Sequence, residues 1–489
     1  MARELRNAEA RIAILGAGFA GLGAAMMLRR AGFADLTLFE GSDRVGGTWR
    51  DNTYPGCACD IQSHLYSFSF AKNPDWSTKY PEQPEIQRYL EGCVEDHGLG
   101  PLIRFGEHVE QVRFVESRSI WQVACRGGAR LEFDVVIAAT GPLSRPKFPD
   151  IPGREDFAGT VFHSGQWNHA HALAGRHIAV VGTGASAVQF VPEIAPDARH
   201  LTVFQRTPPW IFPRDDRAFT HLEQWLFRCI PGAMTLERAR IFLRQELLAL
   251  GLLYRGRVAA RIRAGGEAFL KASVSDPALR GRLRPSYQPG CKRMLVSNDW
   301  YEAVQRPNVT LVTDPIAHIT PSGVATTLGT HHAVDTLIFA TGYRATEFLQ
   351  PLEVLGRAGV ALADAWQEGA QTHHGISVAG FPNFFLLVGP NTGLGHNSIV
   401  FMMEAQIRYI IRALNVLETT KASTLDVKAE VQSATYQDVQ SRLARTVWLS
   451  GCDSWYLTDA KRNDTIWPGF CLEYWWKTRR FKPSDYRFA

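Results

Sequence analysis

Two glycine-rich segments, one beginning at Gly16 and the other at Gly182, constrain the fold of this chain more than any other feature. Each follows a short apolar run that predicts a buried strand, and each opens a segment with helical apolar spacing. The glycines permit a tight turn and a close approach of the backbone to a pyrophosphate, which then faces a helix N-terminus. The predicted cofactor-binding residues are Gly16, Gly18 and Gly21 in the first segment and Gly182, Gly184 and Ser186 in the second.

The residue that ends the second strand of each unit distinguishes the two predicted sites. The segment LTLFE ends in Glu40, whose carboxylate can accept hydrogen bonds from ribose hydroxyls. The related segment LTVFQ ends in Gln205 and is followed by Arg206 and Thr207. Without a carboxylate there is no repulsion of a 2′-phosphate, and a guanidinium can bind that phosphate through two donors. We therefore expect FAD at the first site and NADPH at the second. The alternative is that Arg206 is a solvated charge at the end of a strand.

Composition excludes several other classes of protein. The chain has 489 residues, 45% of them apolar, and its net charge of +5 gives no argument for a nucleic-acid partner. The N-terminal residues lack the apolar core of a signal peptide, and no apolar run is long enough to span a bilayer. The eight cysteines have no CxxC spacing, which argues against a zinc ribbon and gives no disulfide framework. We expect a cytoplasmic protein without a metal, in which the histidine pairs at 331–332 and 373–374 lie in solvated loops.

The order of the patterns predicts an α/β fold with two Rossmann-like dinucleotide-binding domains. Residues 1–150 and 331–489 are assigned to an FAD-binding domain, and residues 151–215 and 289–330 to an NADPH-binding domain. Between them, residues 216–288 have helical apolar spacing and predict a helical insertion in the NADPH domain. This insertion either is scaffold or shapes a substrate cleft. A helix is expected to begin near Ser398 with its N-terminus towards the flavin.

Disulfide reductases share this two-dinucleotide plan but need a CxxxxC pair beside the flavin. In this chain Trp49 stands where the first redox cysteine is expected, and Cys57 and Cys59 are too close together for that role. Both cysteines are therefore predicted to be packing residues.

The segment before the second glycine-rich turn is more informative. Its residues Phe157, Gly159, His163 and Trp167 resemble the FxGxxxHxxxW(P/D) signature of the type I Baeyer–Villiger monooxygenases. The final position departs from that signature, because Asn168 stands where Pro or Asp is usual. We expect His163 to set domain geometry rather than to take part in chemistry.

The resemblance extends over nearly the whole chain. Gly47, Thr48 and Trp49 look like part of the family's flavin-side segment, Lys292-Arg293 looks like its active-site arginine segment, and residues 453–456, with Trp455, look like its loop over the nicotinamide. The segment 463–470 is closer to the branch that includes the hydroxyacetophenone monooxygenases.

This resemblance implies an enzyme that binds FAD and NADPH and acts on a ketone and O2. In the family, a C4a-peroxyflavin attacks the carbonyl, and rearrangement gives an ester or lactone. The resemblance assigns Arg293 to stabilising the oxygen anions, Asp60 to fixing Arg293, Lys292 to assisting Arg206 at the 2′-phosphate, and Trp455 to capping the bound NADP. The resemblance therefore implies that Arg293 and Asp60 are the catalytic residues. Asp60 is also counted among the cofactor-binding residues, because it belongs to the flavin-side segment.

Two other classes of function remain open at this point. A flavin-containing monooxygenase that oxidises sulfur or nitrogen would turn over sulfides or amines but make no ester from ketones. A flavin reductase without oxygenation, or a regulatory protein, would bind the cofactors alone. The sequence leaves the oligomeric state open.

Overall fold

The computed structural model describes residues 9–254 and 256–489, beginning with a five-stranded parallel sheet that contains the first glycine-rich turn. Its central strand, Ile12–Leu15, pairs in register with the strands at Leu36–Phe39 and Val135–Ala138, and the two outer strands are Ile103–Arg104 and Phe384–Leu386. A four-stranded sheet is formed by the strands Glu353–Leu355, Val109–Val115, Ile120–Cys125 and Arg130–Phe133, in that spatial order. The elements up to residue 138 are β1 Ile12–Leu15, α1 Phe19–Arg30, β2 Leu36–Phe39, α2 Thr48–Asp51, α3 Gln83–Asp96, β3 Ile103–Arg104, β4 Val109–Val115, β5 Ile120–Cys125, β6 Arg130–Phe133 and β7 Val135–Ala138.

A second five-stranded parallel sheet, in the order β13-β10-β9-β17-β8, contains the second glycine-rich turn. Its central strand β9 is flanked by β10 and β17 as β1 is flanked by β2 and β7. These elements, with those between them, are β8 Thr160–His163, β9 His177–Val181, α4 Ala185–Ile194, β10 His200–Phe204, β11 Ile211–Phe212, α5 His221–Cys229, α6 Ala233–Leu253, α7 Arg257–Ser273, α8 Pro277–Leu283, β12 Leu295–Val296, α9 Trp300–Ala303, β13 Val309–Val312, β14 Ile316–Thr320, β15 Gly323–Thr326, β16 His331–Ala333 and β17 Thr336–Phe339.

The position of β17 differs from the predicted domain boundary at residue 331. Thr336–Phe339 pairs with β8 and β9, so this strand belongs to the sheet of the second glycine-rich turn. The chain returns to the first sheet only after it. An apolar run such as 337–340 has the same pattern in either sheet, and only the pairing decides its place.

The last part of the chain completes the first sheet and covers it with helices. Helix α11 begins after Ser398, as expected, and packs against α1. Among the residues described, no helix is long and apolar enough to cross a membrane. The elements are β18 Glu353–Leu355, α10 Leu362–Ala365, β19 Phe384–Leu386, α11 Ile399–Thr420, β20 Leu425–Val427, α12 Ala429–Leu443, α13 Cys471–Thr478 and β21 Tyr486–Phe488.

Candidate functional site

The two glycine-rich turns have the same local construction. Gly16 and Gly182 both have φ of +109°, a value that favours glycine, and a Cβ on either would stand 2.7 or 2.5 Å from the carbonyl oxygen of Ala139 or Ala340. Each of these alanines begins an Ala-Thr-Gly turn, at 139–141 after β7 and at 340–342 after β17. Each of these two ATG turns therefore lies against the first glycine of its own sheet. Within the described chain, neither α1 nor α4 has a side-chain cap or an acidic residue in its first turn. Both helix N-termini therefore suit an anionic pyrophosphate.

Gly21 has a structural role that differs from the roles of Gly16 and Gly18. A Cβ at Gly21 would lie 1.8 Å from the carbonyl oxygen of Gly16. This glycine lets α1 pack closely on the turn, while Gly16 and Gly18 line the cavity described below.

Glu40 lies at the mouth of the first turn and is buried. Its carboxylate accepts hydrogen bonds from the backbone N–H groups of Ala17 and Ser42, both at 3.0 Å. The Arg50 guanidinium, which the sequence did not single out, donates to the same carboxylate at 2.7 Å. Glu40 is thus held in a fixed orientation at the end of β2.

The corresponding position of the second unit is neutral, and a cation follows it. Gln205 is buried, and its amide donates to the carbonyl oxygen of Arg282, so it supports the fold. Arg206 is exposed beside it. The pKa of Lys292 is lowered, first by burial and then by the positive charge of Arg206. Arg206 and Lys292 both line the cavity described below, so this part of its wall carries two positive charges.

One continuous cavity of about 1790 Å³ connects the two turns. It is lined by fifteen of the sixteen predicted residues, with Gly21 outside it: Gly16, Gly18, Glu40, Gly47, Thr48, Trp49, Asp60, Gly182, Gly184, Ser186, Arg206, Thr207, Lys292, Arg293 and Trp455. Of the described residues in the predicted insertion 216–288, Tyr287 alone lines this cavity. Residues 233 positions apart, such as Asp60 and Arg293, therefore face the same space.

Arg293 and Asp60 form a two-point ion pair in the cavity wall. The Arg293 Nε and Nη2 atoms donate to the two Asp60 carboxylate oxygens at 2.8 and 2.7 Å. The negative charge of Asp60 raises the pKa of Arg293 despite the opposing effect of burial, so the guanidinium stays charged. It is positioned by β12, which begins at Leu295 and pairs with β11. A guanidinium has five N–H donors, so three remain for another oxygen atom.

The loop at 453–456 is tied directly to the arginine segment. A disulfide bond joins Cys291 to Cys452, which corrects the expectation that the cysteines form no disulfide framework. The two cysteines are 161 residues apart, and no spacing rule can pair them.

Trp455, in the loop after the disulfide, is 45% exposed, and its ring centroid lies 4.3 Å from that of Tyr456. The pKa of Asp453 is lowered by Lys461 first and also by Arg206 and Lys292, so this loop borders the cationic site.

Cys57 and Cys59, predicted to be packing residues, form no disulfide, and both border the cavity. Cys57 and Cys59 are buried, and burial raises the pKa of the Cys57 thiol to about 12.

The signature segment 157–167 lies at the junction of the two sheets. Trp167 packs against Tyr54 of the flavin-side segment and Phe190 of α4, with ring centroids 6.5 and 5.1 Å away. His163 is buried, and its Nδ1 accepts the backbone N–H of Gly165 at 3.0 Å. Burial lowers the pKa of His163 to about 4, so the ring is neutral at pH 7. These contacts agree with a role in domain geometry.

Sequence patterns did not identify a further link between the two units. Gln189 of α4 accepts a hydrogen bond from the Tyr54 hydroxyl at 2.9 Å, and its amide donates to the carbonyl oxygen of Ala58 at 2.9 Å. The Tyr343 hydroxyl, just after the second ATG turn, donates to Asn52 at 2.5 Å. Only the position of Gln189 one turn after Ser186 could have indicated a bridging role.

The expectation that both histidine pairs lie in solvated loops is only partly met. His331, which is exposed, and His332 lie on β16, and the His332 ring centroid is 5.4 Å from that of Phe204. His373 is buried, with its Nδ1 2.9 Å from the Thr435 hydroxyl. The partners Phe204 and Thr435 are distant in sequence, so no local pattern indicates these contacts.

Among the residues described, Glu246, His396 and Cys471 form one buried group whose ligand-type atoms lie within 4.8 Å of one another. None of the three lines the cavity, although Asn397, which donates to Glu246, does.

Comparisons with known proteins agree with this geometry. A family described as pyridine nucleotide-disulphide oxidoreductase matches residues 13–230. The chain is 42% identical over 481 residues to a Baeyer–Villiger monooxygenase of Streptomyces coelicolor, covering 98% of this chain and 92% of that protein. The complex of OTEMO with FAD and NADP has a TM-score of 0.89 at 26% identity, covering 99% of this chain and 100% of that one. A closed cyclohexanone monooxygenase structure has a TM-score of 0.87 at 26% identity, covering 98% and 99%.

Proposed function

The chain belongs to the family of Baeyer–Villiger monooxygenases, and on that premise we propose roles for the residues of its cavity. The protein is an FAD- and NADPH-dependent monooxygenase that inserts one oxygen atom of O2 beside a ketone carbonyl to give an ester or lactone. The observation that supports the assignment most strongly is the two-point pair of Arg293 and Asp60 in the wall of a cavity shared by both glycine-rich turns.

The first turn fits FAD. The α1 N-terminus faces the cavity without an acidic neighbour in its described first turn, and Glu40 is fixed where a ribose would lie. Gly47 and Gly18 approach closely, since a Cβ on Gly47 would lie 3.3 Å from the Gly18 Cα. When bound and reduced, the flavin supplies activated oxygen. Thr48 and Trp49 complete this wall of the cavity.

The second turn fits NADPH. Gly182 and Gly184 leave room for a pyrophosphate, Ser186 and Thr207 line the same space, and Arg206 with Lys292 supplies two positive charges for the 2′-phosphate. Trp455 would cap the bound nucleotide from the loop held by the disulfide.

Arg293 would stabilise the oxygen anions that develop during the reaction. A fixed, permanently charged donor is effective because it is oriented before the charge appears. Asp60 acts as a positioning residue, since it occupies two donors of the guanidinium and leaves three towards the cavity. Bound NADP beside Trp455 would exclude water from this space.

The partner substrate is proposed to be a ketone of small-molecule size, and the cytoplasm remains the proposed location. We propose one FAD domain around the first sheet, one NADPH domain around the second sheet, and a helical segment. Strand β17 is assigned to the NADPH domain, because it pairs with β8 and β9. The hydroxyacetophenone branch stays a prediction from residues 463–470.

Oxygen-isotope labelling tests the function directly. The purified enzyme is supplied with NADPH, ¹⁸O2 and a panel of linear, cyclic and aryl ketones together with sulfides and amines, and products are identified by mass spectrometry. We expect an ester or lactone that contains one labelled oxygen. Labelled sulfoxide or N-oxide without any ester would instead support the heteroatom monooxygenase, a function that the comparisons do not favour.

A further inference from the structure

Large apolar side chains are exposed mainly in one region of the molecule, on α5 and α6. Of the fourteen that are exposed in the described part of the chain, eight lie between residues 222 and 254. They are Leu222, Trp225, Ile230, Leu236, Leu243, Leu247, Leu248 and Tyr254. Single exposed apolar residues are ordinary on a protein surface, whereas a group of them concentrated on two helices that contact each other is typical of an interaction site.

Helix α6 is apolar on both of its faces. Ile241, Ala249 and Leu252 on its inner face are buried in the protein. Leu236, Leu243 and Leu247 follow one another at spacings of seven and four residues, which places them along a single stripe of the outer face. The three are 74%, 58% and 65% exposed. A helix that only covers a core would carry polar residues on that stripe.

Two elements that adjoin α6 also carry exposed apolar side chains. Helix α5 contributes Leu222 and Trp225. The N-terminus of α13 adjoins α6, because the backbone N–H of Leu472 donates to Glu246 at 3.2 Å. Leu472 is itself exposed, and Trp476 one turn later is exposed with the Arg479 guanidinium over its ring at 3.2 Å. We call Leu222, Trp225, Leu236, Leu243 and Leu247 the outer leucine face.

Exposed arginines accompany this face. Helices α5 and α6 together carry four arginines and three acidic residues, and Arg228, Arg240 and Arg244 are the exposed arginines among them. Arg240 and Arg244 flank the leucine stripe on α6 and are 57% and 59% exposed. Their nearest acidic partners are Glu237 at 2.6 Å and Asp215 at 3.8 Å. Glu246, the third acidic residue, is buried and accepts backbone hydrogen bonds. Leucine and tryptophan beside arginine are the composition of a helix that lies in the headgroup region of an anionic membrane.

We propose that the outer leucine face docks on a membrane surface that carries anionic lipid headgroups. The leucines and Trp225 enter the boundary of the acyl chains, and the flanking arginines contact the headgroup phosphates. On its inner side, α6 carries Arg238, which donates to the carbonyl oxygens of His64 and Ser67. These residues flank Tyr66, which lines the cofactor cavity. The docked surface therefore lies one helix away from the cavity wall.

Vesicle co-sedimentation of the FAD-bound enzyme tests this proposal. The probes are vesicles of phosphatidylcholine alone and of phosphatidylcholine with phosphatidylglycerol. We expect binding to the anionic vesicles that decreases with added salt. The double variant Leu243→Ser/Leu247→Ser should weaken binding by about tenfold or more, because two apolar side chains no longer leave water. The variant Arg240→Gln/Arg244→Gln should weaken it by roughly tenfold, on anionic vesicles only.

The variant Leu328→Ser is the matched control, because Leu328 is a 74% exposed leucine on the turn between β15 and β16. It should bind vesicles like the unmodified enzyme, and flavin absorbance should show that every variant is folded. The proposal is overturned if the unmodified enzyme does not bind anionic vesicles. It is also overturned if the Leu243→Ser/Leu247→Ser variant binds them with the same affinity as the unmodified enzyme. Light scattering provides the other refuting result: a dimer that dissociates in the leucine variant would make this face a contact between two copies of the chain.

Discussion

Replacement of Arg293 by alanine should separate oxygen insertion from cofactor reduction. The substitution removes a guanidinium that is oriented by two hydrogen bonds, of 2.8 and 2.7 Å, to Asp60. Loss of one preorganised stabiliser of an oxygen anion costs about 2.7–4 kcal/mol, or a factor of roughly 10²–10³ in kcat. Because FAD binding depends on the first glycine-rich turn, we expect the variant to remain yellow. Reduction by NADPH should persist at a lower rate, because the neighbouring Lys292 is assigned to NADPH binding.

The assay follows NADPH oxidation, hydrogen peroxide and ester in parallel. Ester from an accepted ketone should fall by the factor above, and the reducing equivalents should be recovered as hydrogen peroxide. Asp60→Ala should give a milder loss, of about tenfold, because the guanidinium remains but is less well oriented.

Arg118→Ala is the matched control for this prediction. Arg118 and Glu132 form a surface pair with the same two-point geometry, at 2.6 and 2.7 Å, outside the residues that line the cavity. Its loss should leave ester formation unchanged. Normal ester formation by Arg293→Ala would refute the assigned role.

The remaining predictions concern the cofactors and stability. Arg206→Ala should raise the KM for NADPH about tenfold or more and leave the KM for NADH nearly unchanged, as measured by steady-state kinetics; an equal change for both would assign Arg206 to the fold. Gly21→Ala should abolish or greatly weaken FAD binding, because its Cβ would lie 1.8 Å from the Gly16 carbonyl oxygen, whereas Gly92→Ala, with open space around it, should not. Cys452→Ser should raise the KM for NADPH by freeing the loop at Trp455, and a reducing agent should have the same effect on the unmodified enzyme but none on the variant. Burial lowers the pKa of His163 to about 4 from an ordinary 6.5, so its neutral form stabilises the fold above pH 6.5. That contribution, on the order of 1–3 kcal/mol, should disappear as the pH falls from 6.5 to 4, and His163→Gln should show a smaller loss of thermal stability over that range.

The sequence was most informative where a function depends on a local pattern. An apolar run, a glycine turn and a helix are contiguous in the chain, so both dinucleotide turns, the residue after β2 and β10, and the start of α11 after Ser398 could be predicted. The pairing of Asp60 with Arg293 came from family resemblance, because nothing local connects residues so far apart.

Features that depend on distant partners could not be predicted in this way. The helical pattern of 216–288 includes Leu243 and Leu247, which have the spacing of buried residues but face outwards. Periodicity defines the faces of a helix, but it does not tell which face meets the protein.

By itself, the sequence determined that this protein has two dinucleotide turns with opposite charges at their second strands, because these features need only neighbouring residues. The tertiary structure alone decided that β17 belongs to the second sheet, that Cys291 bonds to Cys452, and that Gln189 links the two units. Each of these contacts joins segments far apart along the chain. Such contacts form only when the whole chain packs, because their free energy comes from partners that no local pattern specifies.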